Sequence, residues 1–180
     1  MWLSGLRLNE SLTLSWDDNT DFYVDLTGKH PRFRIWAEGQ KSKEDEYLPM
    51  TPDFAQSLLE TPEDARTGLV FKPLGKRGAV PTSDSVGRVV SAIGRKANVV
   101  VDAAKDKCAT AHDLRRSFGT RWSKHVKCAT LQKLMRHEDI KTTMDYYVDQ
   151  DAEDVADDLW REFGANEESK MSAPPTVTSR

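Results

Sequence analysis

The spacing of hydrophobic and polar positions changes along the chain. Residues 5–16 carry Leu8, Leu12 and Trp16 at helical intervals with polar residues between them, which predicts a helix. Side chains that favour β-structure then dominate three short segments, separated by turn residues or polar runs: residues 22–26, 33–36 and 47–49. The first third of the chain therefore predicts a helix followed by a small three-stranded antiparallel sheet.

Helix-starting signals recur in the remainder. Thr51 before Pro52 predicts a helix that runs through residue 59, because proline is tolerated at the first helical position. Ser83 or Asp84 is expected to cap another helix, and Thr110 with Asp113 has the spacing of a capping box for a helix through residues 112–125. Further helical segments are expected at residues 129–136, 142–147 and 148–163.

The sequence thus predicts an α+β fold that is mostly helical, with a small three-stranded antiparallel sheet near the N-terminus. We expect a single domain over residues 1–163 and a disordered polar tail over residues 164–180. The full length of 180 residues agrees with one domain and one hydrophobic core.

Composition narrows the class of protein. With 38% apolar and 31% charged residues and a mean hydropathy of −0.64, the chain has the character of a globular domain. Its apolar runs are shorter than the roughly 20 residues that cross a membrane, and the start lacks a signal-peptide pattern. Two cysteines, Cys108 and Cys128, are too few for a disulfide framework, so we expect a cytoplasmic protein.

The net charge of −3 conceals an uneven distribution. Residues 103–147 contain ten Lys or Arg against five Asp or Glu, whereas residues 148–180 contain three basic and nine acidic residues. A basic block of this kind indicates either a polyanion-binding face or a solvated helical surface.

The basic block also holds residues that suit chemistry on a phosphodiester. His112 and Arg115 lie three residues apart on one helical face, and Tyr146 follows His137 by nine residues. Arginine binds phosphate oxygens through two parallel donors, and a tyrosine hydroxyl is a nucleophile once its proton is stabilised elsewhere. Each pair alone is commonly structural, so the interpretation depends on their combination.

That combination resembles the catalytic domain of tyrosine recombinases, the phage-integrase family, over residues 1–147. Residues 4–12 (SGLRLNESL) resemble its TGLR-x-x-E box, and residues 111–116 (AHDLRR) its H-x-L-R box. Residues 131–137 (LQKLMRH) resemble L-x-x-L-L-G-H, and residues 142–146 (TTMDY) resemble T-T-x-x-Y. The resemblance implies that the following are catalytic residues: Arg7, His112, Arg115, His137 and Tyr146.

The resemblance further implies a reaction on double-stranded DNA. Tyr146 would attack a phosphodiester and form a 3′-phosphotyrosyl enzyme, while Arg7 and Arg115 hold the non-bridging oxygens. His112 and His137 would handle protons and hydrogen bonds at the phosphate. No metal, ATP or other cofactor is implied, because side-chain cations stabilise the transition state.

A catalytic lysine in this family lies on a β-turn, eight residues before the proline that ends the next strand. Counting back from Pro49 gives Lys41, with Lys43 as the alternative. This lysine would protonate the leaving 5′-oxygen. Family members of this kind serve mobile elements and assemble as homotetramers on two DNA sites, often through a C-terminal segment, so the last helix is expected to dock onto a neighbouring subunit.

Several alternatives stay open in the sequence. Tyr147 adjoins Tyr146, although the spacing favours Tyr146, and Glu10 is either catalytic or a partner that orients Arg7. Arg136 departs from the family glycine and is expected to touch the DNA backbone or to alter the local loop. Few residues precede Arg7, so we also expect the first helices of this domain and a core-binding domain to be missing. The chain would then be either a fragment or a weakly active DNA-binding remnant.

Two other classes compete with a recombinase. Type IB topoisomerases share this residue chemistry, although the short domain and the close spacing of His137 and Tyr146 favour a recombinase. A zinc module would use Cys108 with His112 and His125 with Cys128. The helix expected between those pairs would hold them about 18 Å apart, too far for one tetrahedral site.

Overall fold

The computed structural model describes residues 1–36, 45–73, 75, 79, 81–148 and 152–160. The helices of these residues are α1 (Leu8–Thr13), α2 (Pro52–Leu59), α3 (Ser83–Lys96), α4 (Ala111–Ser123), α5 (Cys128–Met135), α6 (Ile140–Val148) and α7 (Ala152–Leu159). The strands are β1 (Phe22–Asp25), β2 (Arg32–Ile35), β3 (Glu46–Pro49), β4 (Val100–Asp102) and β5 (Lys107–Cys108). The expected α+β class is confirmed, whereas the expected tail lies outside the described residues.

The main sheet is antiparallel in the order β1-β2-β3. Phe33 in the central strand lies opposite Val24 of β1 and Leu48 of β3. Because side chains alternate between the faces of a strand, these three share one face. That face packs on α2 and on the residues that flank α1, forming the first hydrophobic cluster of buried side chains: Leu6, Leu14, Phe22, Val24, Phe33, Ile35, Leu48, Phe54 and Leu58.

A second hydrophobic cluster lies among α4, α5 and α6 of the described chain. Phe118, Leu131 and Met135 are fully buried at its centre. Partly buried side chains surround them: Trp122, Val126, Leu134, Tyr146 and Tyr147. The two clusters meet at Gly5, where a Cβ would approach the Phe118 ring to 2.6 Å. Gly5 has φ +66°, and its lack of a side chain lets the start of the chain pack directly against α4.

Helix starts largely follow the capping residues. α2 begins at Pro52 after Thr51, and Thr110 forms the expected capping box with Asp113 at the start of α4. The cap of α3 is Thr82, whose Oγ1 accepts from the Ser85 amide at 3.3 Å, rather than Ser83 or Asp84. Thr82 has the extended backbone of an N-cap residue, with φ −70° and ψ +157°.

The first helix is shorter than expected. α1 ends at Thr13 instead of continuing to Trp16, because Leu14 turns into the first cluster at 0% exposure and Ser15 bridges to Tyr23 and Leu69. β4 and β5 form a two-stranded antiparallel hairpin that the sequence pattern does not predict. Within the described residues, no helix is long and apolar enough to cross a membrane.

Candidate active site

Arg7 lies immediately before α1 and is held on two sides. Its backbone amide donates to Glu10 Oε2 at 2.6 Å, and its Nη1 donates to Glu10 Oε1 at 2.9 Å. Its Nη2 donates to the carbonyl of Arg136, which lies 129 positions later in the chain, at 3.1 Å. The side chain is still about half exposed, at 49%. Arg7 is therefore oriented by the protein while keeping a face open to a ligand.

Arg115 is the buried counterpart of Arg7. It lies on α4 at 4% exposure, where Nη1 donates to the carbonyl of Gly5 and Nη2 to the carbonyl of Met135. Burial and, to a smaller extent, the positive charge of Arg7 together lower its pKa to about 10. Arg115 therefore stays protonated at neutral pH. It links the end of α5 to the start of the chain.

His137 follows the end of α5, where Arg136 adopts the left-handed conformation with φ +50°. His137 Nδ1 lies 2.9 Å from the hydroxyl of Thr143, which is completely buried in α6. Burial lowers the pKa of His137, and the charges of Arg115, Arg7 and His112 lower it further. The imidazole is therefore predominantly neutral at pH 7.

Tyr146 lies on α6, packed between His137 and α4. Its ring is nearly parallel to the His137 ring, with centroids 6.2 Å apart and 16° between the planes. On α4 it lies against Gly119, where a Cβ would come within 2.5 Å of the tyrosine ring. Burial raises the pKa of Tyr146, against the opposing effect of Arg115 and Arg116. The phenol is therefore protonated at neutral pH.

Tyr147 has a different environment from Tyr146. Its hydroxyl donates to the carbonyl of Val126 at 2.6 Å, and its ring packs in the second hydrophobic cluster. This pairing gives the Tyr147 hydroxyl a structural role.

His112 lies on the first turn of α4 and is exposed. It lines a cleft of about 800 Å³ with Arg7 and with polar residues of α3. The side chains along the α3 wall are Ser83, Asp84, Arg88, Ser91 and Arg95. The cleft therefore extends from the arginine and histidine side chains along α3.

The structure brings Arg7, Arg115, His137 and Tyr146 into one neighbourhood, with His112 at its cleft. Lys41 and Lys43 lie outside the described residues. Among the described residues, no group of three or more His, Cys, Asp or Glu side chains could hold a metal ion.

The phage integrase family model matches residues 1–153. The chain belongs to the phage integrase family. No curated protein matches the sequence. The family resemblance found in the sequence is confirmed, and the chain is also similar in fold to solved structures of recombinases and a transposon integrase.

The XerA recombinase structure has a TM-score of 0.56 and 19% identity, with 89% of this chain and 53% of that chain covered. The Tn1549 transposon integrase in complex with transposon right end DNA has a TM-score of 0.55 and 19% identity, covering 89% and 56%. XerH recombinase bound to palindromic difH substrate, a post-cleavage complex, has a TM-score of 0.55 and 23% identity, covering 89% and 43%. This phage integrase family chain spans about half the length of these structures.

Sequence reasoning about this family member missed some contacts. Gly119 was not singled out, although its position four residues after Arg115 places both on one face of α4. Thr143 belongs to the segment that resembles T-T-x-x-Y, but the sequence does not indicate that its buried hydroxyl is the partner of His137. Arg136 is expected from the sequence to meet DNA or to alter the local loop, and no sequence pattern indicates the pair that its guanidinium forms with Glu10.

Proposed function

We propose that this chain is the catalytic domain of a site-specific DNA recombinase, with Tyr146 as the nucleophile that cuts and rejoins strands. The observation that carries the proposal is the position of the Tyr146 ring between Gly119 and His137. Burial raises the pKa of this tyrosine, and the positive charge of Arg115 opposes that rise. A tyrosine held in this way, beside fixed cations, suits attack on a phosphodiester.

The charges around the site favour an anionic substrate. Arg7, Arg115 and Arg136 all lie within 4.0 Å of the Glu10 carboxylate, so three guanidinium groups share one carboxylate. The excess positive charge is available to the two non-bridging oxygens of a phosphodiester, which we assign to Arg7 and Arg115. Arginine suits this role because its donors match the geometry of the phosphate.

The cleavage step follows from these assignments. The Tyr146 hydroxyl gives its proton to one of the two histidines, His112 or His137, as its oxygen bonds to phosphorus and the bond from phosphorus to the 5′-oxygen breaks. Lys41 supplies the proton to the leaving 5′-oxygen, with Lys43 as the alternative donor. His112 and His137 handle protons and hydrogen bonds at the phosphate. The phosphotyrosyl bond retains the energy for rejoining, so the step needs no other energy source.

Double-stranded DNA is the proposed partner. The Tn1549 integrase and XerH structures contain DNA, and the cleft here offers Arg88, Arg95 and polar groups beside His112. We place the activity in the cytoplasm, in recombination of mobile DNA.

A homotetramer on two DNA sites is the proposed assembly. α7 exposes an apolar stripe, with Val155, Leu159 and Trp160 at 46%, 55% and 72% exposure. A neighbouring subunit would cover this stripe, which couples strand exchange to assembly.

Covalent capture tests the proposal without knowledge of the target site. The full chain is incubated with a pool of nicked duplexes of random sequence, and protein-linked DNA is recovered after denaturation. Tyr146→Phe should abolish the adduct. Tyr147→Phe is the matched control: it removes a hydroxyl bonded to Val126 and should keep adduct formation.

Three results would contradict the proposal. An adduct that persists in Tyr146→Phe and disappears in Tyr147→Phe would move the nucleophile to Tyr147. DNA binding without any adduct would leave a DNA-binding chain that does not cleave. Absence of both would remove DNA as the partner.

A further inference from the structure

Arg136 occupies a backbone position that does not favour a long side chain. It ends α5 with φ +50° and ψ +51°, in the left-handed region where glycine is preferred. Arginine is an unusual residue for this conformation, which suggests that its side chain has a role that glycine cannot perform.

The Arg136 side chain joins separate parts of the fold. Its Nη1 donates to Glu10 Oε1 in α1 at 3.0 Å, and its Nε lies 4.0 Å from Glu46 Oε2 in β3. The side chain is only 22% exposed. Arg136 thus connects the end of α5 to both α1 and the sheet.

Glu10 is the shared partner at this junction. Its Oε1 also accepts from Arg7 Nη1 at 2.9 Å, and its Oε2 lies 3.9 Å from Arg115 Nη1. Arg7 is also held by the Arg136 carbonyl, and Arg115 by the carbonyls of Gly5 and Met135. Glu10 adds a charged contact shared by both arginines, so a group that fixes Glu10 contributes to the position of each guanidinium.

We propose that Arg136 is a positioning residue, which acts on Arg7 and Arg115 by holding Glu10 in place. The guanidinium faces two carboxylates, which assigns it to this junction rather than to a DNA phosphate. This inference rests on the proposed function, because it concerns the two arginines assigned to the scissile phosphate.

The decisive substitution is Arg136→Gly. Glycine keeps the carbonyl that accepts from Arg7 and suits the left-handed backbone, so the fold should not lose stability. Asn98→Gly is the matched control, because Asn98 has φ +51°, is exposed, and lies outside the site. Arg136→Lys tests rescue by a cation that reaches one carboxylate at a time.

The measurement separates chemistry from binding. Single-turnover adduct formation is followed at saturating nicked DNA, with DNA affinity measured by fluorescence anisotropy and stability by thermal unfolding. Arg136→Gly should slow adduct formation by about 10- to 100-fold, as expected for misplaced catalytic groups. DNA affinity should change less than about threefold. Arg136→Lys should recover part of the rate, and Asn98→Gly should match the wild type.

Two outcomes would overturn the inference. One is an unchanged rate in Arg136→Gly, and the other is weaker DNA binding at an unchanged maximal rate, which would make Arg136 a DNA ligand.

If the wild-type chain forms no adduct, the proposed function fails, and the positioning role of Arg136 is tested by the Nε–H NMR signals of Arg7 and Arg115 instead. Positioning predicts that both signals shift or broaden in Arg136→Gly and not in Asn98→Gly. Unchanged signals would refute positioning.

Discussion

The contact between Gly119 and Tyr146 gives the sharpest test of how the nucleophile is held. A Cβ at position 119 would lie 2.5 Å from Cε1, 2.7 Å from Cζ and 2.8 Å from Cδ1 of Tyr146. Carbon atoms in contact are normally about 3.5–4.0 Å apart, so Gly119→Ala must displace the ring by about 1 Å. A displacement of this size is expected to cost about 100-fold in the rate of attack.

The effect on stability should be small by comparison. Alanine favours a helix interior over glycine by about 1 kcal/mol, whereas crowding in a packed site costs about 1–3 kcal/mol. We therefore expect Gly119→Ala to change the free energy of unfolding by at most about 2 kcal/mol. A 100-fold loss of rate corresponds to about 2.7 kcal/mol in the activation barrier, so the barrier should change more than the fold does.

Single-turnover adduct formation and thermal unfolding provide the assay. Thr120→Ala is the control: it is the next residue of α4, is exposed, and raises helix propensity without a new group facing Tyr146. A Gly119→Ala protein that folds and forms adduct at the wild-type rate would show that Tyr146 does not react from its position against Gly119.

Three further predictions concern charge and assembly. Burial raises the pKa of Asp25, but hydrogen bonds from Thr27 and Arg32 outweigh burial and lower the pKa to about 2. Asp25→Asn should therefore reduce the free energy of unfolding by about 2 kcal/mol at pH 7. Urea unfolding should show this difference shrinking as pH falls from 4 towards 2, and a constant difference would refute it. Because the fold lowers the pKa of His137, the free energy of unfolding should decrease as pH drops through about 6.5, where the unfolded histidine takes up a proton. Unfolding measured at pH 5 and pH 7 should show a smaller difference in His137→Gln than in the wild type. Deletion beyond Val148 should abolish recombination more than single-site cleavage, and equal losses in the two assays would count against docking by the last helix.

The sequence predicted those elements whose signals are local. Thr51 with Pro52 and Thr110 with Asp113 mark helix starts through backbone chemistry within a few residues. The end of α1 was wrong because Leu14 turns from helical spacing into the core, a choice made by tertiary packing.

The candidate site also depends partly on local signals, which the sequence shows, and partly on long-range contacts, which it does not show. The residue types and their order were visible in the sequence, and Glu10 is indeed the partner of Arg7. The contact of Arg7 with the Arg136 carbonyl spans 129 positions, so no local pattern indicates it.

The candidate site lies between the two hydrophobic clusters, which predicts that some substitutions there change its chemistry more than its stability. Leu6, next to Arg7, is buried in the first cluster, whereas Tyr146 packs in the second. Arg115 bonds the carbonyls of Gly5 and Met135, so it joins the two clusters through polar contacts. Small movements at this junction change the distance between the arginines and the tyrosine without opening either cluster. Because a reaction of this kind depends on distances of about 1 Å, substitutions at this junction that keep the contacts of Arg115 should alter the rate more than the stability.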